Sequence, residues 1–572
     1  MTGIQALDGK QRRELFWLFA IALLVLGAGY GLRDPWPADE PRFVLVARQM
    51  LESGQWLFPH RGHELYPDKP PVFFWMLAAC RQLIGSWRWS FLLPSLLSGL
   101  GTLWLSYDLG RRLWNHRAGW WAAIAILSSL QFLYQFKRAQ IDPTLVLFTT
   151  LAFYGLLRHL LTGPHWRWFW AGCFAAGVGV ILKGVGFLPL FALLPFALMR
   201  RNRWHGLAEL GPGNGWRWTA GAVAFLAAIA CWLAPMLWFA LAGGDPEHRA
   251  YLDNLLFKQT AARYTDAWHH NKPFWYYIEV IAFFWLPFSL ALGWLWRDWR
   301  DAWRARDARV WLPLSWVMLV LLFFSASPGK RDMYILPALP GLALAAAPFL
   351  SELLERRSFQ RALLAFCVLL AAGLLALGLT AWIAPPHAVQ ALVGDRGLGV
   401  EVRWLWIMLA GVGALGLLAA IVYRRAGAAR ATGVLLLCLC MGYGLVAYPV
   451  LDPSSSARAL MQRARDLAGP ATPIGLVEWK EQNLLQAVGP TEEFGYRRSG
   501  KEQLHDAIAW LDADPAARRV LFSQPRGAPS CFVGTDSGVQ SVGTANRRDW
   551  FLVARPAIGP RCFGAGLEDQ SP

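Results

Sequence analysis

The residues best suited to chemistry are two carboxylates in short polar segments between long apolar runs. Asp39 opens the sequence Asp-Glu-Pro-Arg, and Asp142 closes Arg-Ala-Gln-Ile-Asp immediately before a proline. A carboxylate in such a place can take a proton from an attacking hydroxyl group. It can equally cap a following helix, because its oxygens accept hydrogen bonds from backbone N–H groups. The sequence leaves both interpretations open for Asp39 and for Asp142.

Cations occupy segments of the same kind. Lys69 precedes Pro70-Pro71, which restrict the backbone beside it, and Lys183 interrupts an apolar stretch. Such residues are often only anchors whose charged ends reach the membrane surface. They can also neutralise a phosphate carried on a lipid, Arg as a bidentate fork and Lys as a point charge. The polar residues of these segments include Lys69, Lys183, Arg263, Arg331 and Tyr334, with Glu40, Arg42, Asp68, Arg138 and Lys330 beside them.

Acids and cations together favour the transfer of a group from a lipid phosphate. The cations would neutralise the departing phosphate, which lowers the barrier electrostatically. A carboxylate would orient the acceptor and take its proton if the acceptor is a hydroxyl group.

The elements that must position these residues are membrane helices. Of 572 residues, 55% are hydrophobic and 16% are charged, whereas a soluble domain has roughly 25% charged residues. The apolar runs number about thirteen at the length that crosses a bilayer. The net charge of +17 lies largely in Arg clusters at the ends of these runs, which is typical of membrane orientation rather than of nucleic-acid binding. The sequence predicts an α-helical polytopic membrane protein.

The Arg clusters also predict the topology. Residues 168–199 are counted as two passes because Lys183-Gly184 interrupts them, and all the clusters then fall on one side, which the positive-inside rule makes cytoplasmic. We expect a cytoplasmic N-terminus, a transmembrane catalytic domain over residues 1–449 with outer loops at 33–86 and 243–273, and an outer domain over 450–572. The candidate residues then share the outer, extracytoplasmic face of the membrane.

The outer segments have local patterns of their own. Apolar residues from Phe43 to Leu51 follow helical spacing and stop at Gly54, which predicts an amphipathic helix. In the tail, Ile474–Val477 and Arg519–Phe522 are predicted strands and Leu504–Leu511 a helix, so a small α/β domain is expected.

Cysteines and histidines leave two questions open. Cys531 and Cys562 are the only cysteines of the outer tail, where a disulfide and two free thiols are both compatible with the sequence. His60 and His63 lack an evident third ligand, and the His269-His270 pair is likewise compatible with solvated loop residues. No cofactor is required by any motif, and a divalent metal stays open.

Seven segments taken together resemble a known family over roughly residues 10–350. They are Asp39-Glu40-Pro41-Arg42, Gly54-Gln55-Trp56-Leu57, Asp68-Lys69-Pro70-Pro71, Arg138-Ala139-Gln140-Ile141-Asp142-Pro143, Leu182-Lys183-Gly184, Arg263-Tyr264 with Pro273-Phe274-Trp275-Tyr276-Tyr277, and Lys330-Arg331-Asp332-Met333-Tyr334-Ile335-Leu336-Pro337. In order and spacing they resemble the polyprenyl-phosphate-dependent GT-C glycosyltransferases of the protein O-mannosyltransferase superfamily. Within it they are similar to the lipid A 4-amino-4-deoxy-L-arabinose transferase family.

The resemblance implies a protein of the bacterial inner membrane with thirteen passes, a periplasmic C-terminal domain and roles for particular residues. Asp39 and Asp142 correspond to the family's two acids. Lys69, Arg263 and Tyr334 correspond to groups that hold the lipid phosphate, with Lys183 and Arg331 as further candidates. One position departs from the family, because Asp68 stands where a Glu is usual.

The expected function is sugar transfer with inversion at the anomeric carbon. The donor would be a polyprenyl monophosphate sugar, aminoarabinose in the first instance, and the acceptor lipid A or another lipopolysaccharide group among the membrane lipids. Transfer to protein hydroxyl groups is the alternative within the enzyme class. A transporter or flippase of lipid-linked sugars is the alternative outside it, but it would place charges near the bilayer midplane and show paired half-repeats. A non-catalytic scaffold is a third interpretation if the acids are only helix caps.

Overall fold

The computed structural model describes residues 7–255, 272–424, 427–525, 531–533, 538–545 and 548–563. The described chain is mostly helical. Its helices are α1 (Gly9–Gly27), α2 (Glu40–Ser53), α3 (Val72–Ile84), α4 (Trp87–Ser90), α5 (Leu93–Leu113), α6 (His116–Ser128), α7 (Leu130–Gln135), α8 (Ile141–Thr162), α9 (Trp166–Lys183), α10 (Leu193–Arg201), α11 (Gly215–Ala242), α12 (Pro246–Asp253), α13 (Tyr276–Phe284), α14 (Leu292–Arg304), α15 (Ala308–Ala326), α16 (Leu339–Leu353), α17 (Arg357–Ile383), α18 (His387–Arg396), α19 (Arg403–Val422), α20 (Ala428–Gly442), α21 (Tyr448–Ser455), α22 (Arg458–Ala468), α23 (Glu481–Leu485) and α24 (Gly500–Ala513). The strands are β1 (His60–Arg61), β2 (Glu64–Leu65), β3 (Ile474–Leu476), β4 (Thr491–Glu493), β5 (Arg519–Pro525), β6 (Val539–Ala545) and β7 (Arg548–Val553).

Several helices are membrane spans by length and composition. Seven described segments pass that test, and an eighth is added if the pair α13 and α14, bent by 108°, is one span. Helices at the other predicted passes are shorter or less apolar, α6 for example having 13 residues. The helical, multi-span architecture predicted from the sequence is therefore present, while the count of thirteen passes stays a prediction.

The chain reverses direction where the sequence has Lys183-Gly184. Helix α9 ends at Lys183, and Gly184 has a φ of 77°, which favours glycine. Beyond it, Gly179 and Gly186 bring their backbones together, since a Cβ on Gly186 would lie 2.0 Å from the carbonyl carbon of Gly179. The following apolar residues thus turn back along α9 into α10.

Residues 33–86, the predicted first outer loop, contain two packed helices and a hairpin whose strands have two residues each. Helix α2 begins after Asp39 and ends at Gly54, whose φ is 72°, as its apolar spacing predicts. The sequence does not predict α3, a 13-residue apolar helix that begins immediately after Pro71. The rings of Phe43 and Phe73 are 5.6 Å apart, so the first turns of α2 and α3 lie against each other. This packing brings together the segments that precede the two helices.

The tail contains a five-stranded mixed sheet in the order β4-β3-β5-β7-β6. Strand β3 is parallel to β4 and β5, whereas β7 is antiparallel to both β5 and β6. Side chains of β5 alternate between two cores, as strand geometry requires. Val520 and Phe522 pack with α24, and Leu521 belongs to the core shared with the first outer loop. The tail sheet and the first loop are therefore held together by one apolar cluster.

A disulfide closes the end of the tail. Cys531 and Cys562 are bonded, with Cα atoms 4.9 Å apart, which is the paired alternative left open by the sequence.

Candidate active site

Asp39 stands at the N-cap position of α2 but does not cap it with its side chain. No capping hydrogen bond is formed, and the side chain is 22% exposed. Its Oδ2 accepts a 3.4 Å hydrogen bond from Nε2 of Gln140, and its Oδ1 lies 3.9 Å from Nη1 of Arg42. The carboxylate is therefore not consumed by the helix that it precedes.

The neighbouring Glu40 is bonded in the opposite way. It is 1% exposed, and its two oxygens face the two Nη atoms of Arg33, one pair at 2.8 Å. The same oxygens accept hydrogen bonds from the backbone N–H groups of Trp36 and Ala139 at 2.8 and 2.9 Å. Burial alone would raise the pKa of Glu40, but Arg33 and the hydrogen bonds outweigh it and lower that pKa.

Lys137 completes this buried group. Its Nζ donates to the carbonyl oxygens of Val25 and Ala28 at the end of α1, at 2.7 and 2.9 Å. Its own carbonyl oxygen accepts from Nη2 of Arg33 at 3.1 Å. Arg33, Glu40 and Lys137 are here named the anchor cluster. They fasten the start of the first loop to the end of α1 and to the segment between α7 and α8.

A second group of polar side chains assembles from α8, α9 and the helical turn before α16. Asp142 lies in the first turn of α8 and is 6% exposed. Its Oδ1 is 2.5 Å from Nζ of Lys183, the last residue of α9. The same Nζ lies 4.9 Å from the ring centre of Tyr334. Three candidates that are far apart in the sequence, Asp142, Lys183 and Tyr334, are therefore brought together.

Gln140 joins these residues to Asp39. It lies two positions before Asp142 at the start of α8, it is buried, and its Oε1 has no hydrogen-bond partner among the described residues. Asp39, Gln140, Asp142, Lys183 and Tyr334 are here named the site cluster. Sequence reasoning missed Gln140 because a neutral amide carries no charge signal, although its place beside Asp142 is visible in the sequence.

Of two further candidates for phosphate binding, Lys69 and Arg263, only Lys69 is among the described residues. Lys69 is half-buried in the segment before α3, next to Asp68, and the contact between α2 and α3 places this segment beside the one that carries Asp39. Arg263 lies outside the described residues, so its predicted place in the site stays a prediction.

The remaining candidate cations have local partners. Lys330 is buried, and its Nζ donates to the carbonyl oxygens of Ser327 and Lys272 at 2.6 and 3.0 Å. Arg138 donates to the hydroxyl oxygen of Tyr134 at 3.1 Å. Arg331 is half-exposed at the start of the 3-10 helix that carries Tyr334. Lys330 and Arg138 thus have hydrogen bonds to their own surroundings, and their predicted roles in the site stay predictions.

The tail reaches the site through a residue that the sequence did not assign. Glu481, the first residue of α23, accepts a hydrogen bond from Nε of Arg42 at 2.6 Å and lies 3.4 Å from Nη1 of Arg61. Arg42 in turn is the cation beside Asp39. Nothing local in the sequence signals this contact, because the two partners are 439 positions apart.

A metal centre finds no support in the described part of the chain. None of its groups of three or more His, Cys, Asp or Glu side chains is arranged to hold an ion. His63 is paired with Glu493 at 2.8 Å, and burial lowers the pKa of His60. His269 and His270 lie outside the described residues.

Comparisons with known proteins agree with this architecture. Residues 68–238 match the family model described as dolichyl-phosphate-mannose-protein mannosyltransferase. The undecaprenyl phosphate-alpha-4-amino-4-deoxy-L-arabinose arabinosyl transferase 2 of Pseudomonas fluorescens is 30% identical over 351 residues, covering 60% of each chain. The protein of the same name from Sodalis glossinidius is 31% identical over 324 residues, covering 55% of this chain and 56% of that one. The matched region thus spans 60% or less of the length of these relatives.

Among solved structures, ArnT from Cupriavidus metallidurans in the apo state superposes with a TM-score of 0.72 at 20% identity, covering 96% of this chain and all of that one. The same protein bound to undecaprenyl phosphate gives a TM-score of 0.71. These comparisons confirm the resemblance seen in the sequence: residues 68–238 match the model of the dolichyl-phosphate-mannose-protein mannosyltransferase family, and the chain as a whole has the fold of the ArnT structures.

Proposed function

We propose that the protein is a membrane glycosyltransferase that moves a sugar from a polyprenyl monophosphate to lipid A or another lipopolysaccharide group. Aminoarabinose is the sugar favoured by the names of the curated relatives. The donor is favoured by the match to a transferase structure bound to undecaprenyl phosphate. The observation that carries the proposal is the site cluster, which combines a partly exposed carboxylate with a lysine and a tyrosine from separate helices.

The proposed topology follows the charge pattern of the sequence. Residues 1–449 would form the transmembrane catalytic domain with thirteen passes, and residues 450–572 a periplasmic domain. The N-terminus would lie in the cytoplasm of a bacterial cell and the site cluster on the periplasmic side. The contact of Glu481 with Arg42 supports placing the tail and the first loop on one side of the membrane.

The proposed reaction is a single displacement at the anomeric carbon of the sugar. The acceptor oxygen forms the new glycosidic bond as the bond to the lipid phosphate breaks, and the phosphate leaves as an anion. Lys69, Arg263 and Tyr334 would stabilise that anion. Asp142 would hold Lys183 against Tyr334, so that Lys183 presents its charge at a fixed place.

Asp39 would act on the acceptor. Its carboxylate is held only by contacts of 3.4 and 3.9 Å and is therefore available to accept a proton from a hydroxyl acceptor. A phosphate acceptor is already an anion and needs no base, in which case Asp39 would orient it.

The experiment that tests this proposal replaces Asp39 by Asn. For a hydroxyl acceptor, we expect turnover to fall about a hundredfold or more, the usual contribution of a general base. Thermal unfolding should be unchanged, because Asp39 makes no capping bond. The measurement is the pentosamine mass added to lipid A in cells, together with transfer by the purified enzyme. Glu52→Gln, an exposed change in the same helix, is the matched control, and full turnover by Asp39→Asn would remove Asp39 from the mechanism.

Transfer to protein hydroxyl groups is the second candidate, because the matching family model is named for it. A comparison of cells with and without the gene distinguishes the two functions. A pentosamine on lipid A supports the first proposal, whereas unmodified lipid A with glycosylated envelope proteins that depend on the gene supports the second.

A further inference from the structure

A basic cavity lies at the opposite end of the helix pair α8 and α9 from Asp142 and Lys183. Helix α8 has 22 residues, so the two ends are about 30 Å apart at 1.5 Å per residue. The cavity has a volume of about 330 Å³ and is lined by Arg158, Pro164, His165, Trp166, Arg167 and Trp168. It is separate from the proposed active site, and the inference drawn from it does not depend on the proposed reaction, although its side of the membrane follows from the proposed topology.

The polar groups of this cavity are positive or donate hydrogen bonds. Arg158 and Arg167 carry full charges, and no ion pair joins either of them to a carboxylate in the part of the chain that the structure describes. The nearby acid Asp108 is occupied by Arg111, by Arg112 and by the hydroxyl group of Tyr154. The cavity therefore has cations without a protein counterion.

The cavity also lies at the start of a helix. The N-terminus of the 18-residue helix α9 begins at Trp166 and adds a partial positive charge.

Arg158 is held in a fixed orientation. Its Nη1 donates to the hydroxyl oxygen of Tyr154 at 2.9 Å, and its guanidinium carbon lies 4.6 Å from the ring centre of Trp168. Stacking on one face and a hydrogen bond on one edge leave the remaining edge of the guanidinium for an anion. The positive surroundings are visible in His165, whose pKa is lowered by its burial and by Arg158 and Arg112.

The indole rings indicate the depth of the cavity. Trp166 and Trp168 lie in the first turn of α9, close to the C-terminal end of α8, which is long and apolar enough to cross a bilayer. Tryptophans at the ends of such helices mark the level of the lipid headgroups. This level and the neighbouring hydrophobic surface favour a lipid phosphate over a free ion. Basic cavities between helices on the cytoplasmic side are suited to acidic headgroups.

We propose that the cavity formed by Arg158, His165, Trp166 and Arg167 binds the phosphate of an acidic phospholipid in the cytoplasmic leaflet. Such a lipid would neutralise the charges of Arg158 and Arg167. It would also hold the connection between α8 and α9 at the membrane surface.

Native mass spectrometry of the full-length protein in detergent tests the proposal, with phosphatidylglycerol, phosphatidylcholine and inorganic phosphate as separate probes. We expect phosphatidylglycerol to bind in preference to the net-neutral phosphatidylcholine. The double variant Arg158→Gln, Arg167→Gln should weaken phosphatidylglycerol binding about tenfold or more, because charge-assisted bonds to the phosphate are lost. Arg304→Gln, which changes an exposed arginine at the same predicted side of the membrane, should bind like the wild type.

Three results would overturn the proposal. Undiminished phosphatidylglycerol binding by the double variant would exclude this cavity as the site. Equal binding of both phospholipids would exclude recognition of an acidic headgroup. Strong binding of inorganic phosphate that disappears in the double variant would assign the cavity to a soluble anion. If the double variant does not fold, Arg167→Gln alone serves, since Arg167 is exposed. Sugar transfer by the purified Arg167→Gln protein should be unchanged, which separates this proposal from the proposed function.

Discussion

Asp39 and Glu40 are adjacent carboxylates at the start of one helix, yet they belong to two differently bonded regions. In the anchor cluster, Glu40 is 1% exposed, and its oxygens form hydrogen bonds of 2.8 to 2.9 Å with Arg33 and with the backbone N–H groups of Trp36 and Ala139. Asp39 in the site cluster is 22% exposed and has contacts of 3.4 and 3.9 Å. Charge near a membrane is costly, and the two regions offset that cost differently.

This difference separates structural charges from charges available to a substrate. In the anchor cluster, hydrogen bonds occupy the carboxylate of Glu40 and the ammonium group of Lys137, so neither charge is offered to a substrate. In the site cluster, Gln140 Oε1 has no partner among the described residues and the Asp39 contacts are long. A carboxylate at the membrane face is therefore a candidate for chemistry only when its oxygens are not already used by the fold.

The largest effect is expected from breaking the anchor cluster with Glu40→Gln. The change leaves the buried guanidinium of Arg33 without its anion, and removal of one partner of a buried pair typically costs about 3 to 5 kcal/mol. We expect a clear loss of thermal stability in detergent, measured by tryptophan fluorescence. Asp39→Asn, one position away, should melt like the wild type. If both variants melt alike, the distinction between the two regions is wrong.

The ion pair of Asp142 with Lys183 is the buried part of the site cluster. Its variants test whether this pair stabilises the fold as the anchor cluster does. Asp142→Asn or Lys183→Gln alone should lower the free energy of unfolding by about 3 kcal/mol, because each leaves a poorly solvated charge. The double variant should lose less than the sum, with a coupling energy of about 2 kcal/mol. Unfolding of the three variants in a denaturant series measures this coupling, and strictly additive losses would show that the 2.5 Å contact has no energetic weight.

A smaller effect is expected from Glu481→Gln. The carboxylate of Glu481 connects the tail to Arg42, the cation beside Asp39. Loss of the carboxylate charge would loosen Arg42, and a small displacement of a group beside Asp39 should lower kcat about tenfold. The KM for the lipid donor should stay unchanged, since Glu481 contacts Arg42 and Arg61, which are not among the residues proposed to bind the lipid phosphate. Glu481→Asp should recover part of the rate and Glu52→Gln all of it. A change in KM alone would mean that the tail acts on donor binding instead.

The sequence predicted some of these elements and not others, for identifiable reasons. Helix α2 was predictable because its apolar spacing and its terminal glycine are local signals. Helix α3 was not, because two prolines directly before it suggested only a rigid loop. The pairing of Asp142 with Lys183 depends on how α8 packs against α9, and the contact of Glu481 with Arg42 on how the tail docks. Neither leaves a local trace in the sequence.

The smallest effect is expected at Asp34, which joins the first loop to the tail by a 3.1 Å ion pair with Arg458. Burial, together with the neighbouring Asp452, raises the pKa of Asp34, although Arg458 and Arg88 oppose this. A raised pKa means that the folded protein holds the proton more tightly than the unfolded chain does. The stability from this group is therefore complete below the usual aspartate pKa of about 3.9 and is lost as pH rises through the higher folded value. We expect the melting temperature of Asp34→Asn, relative to the wild type, to increase as pH rises from about 4 to 7. The exposed change Asp466→Asn should show no such trend, and a trend of the opposite sign for Asp34→Asn would mean that the ion pair with Arg458 outweighs burial.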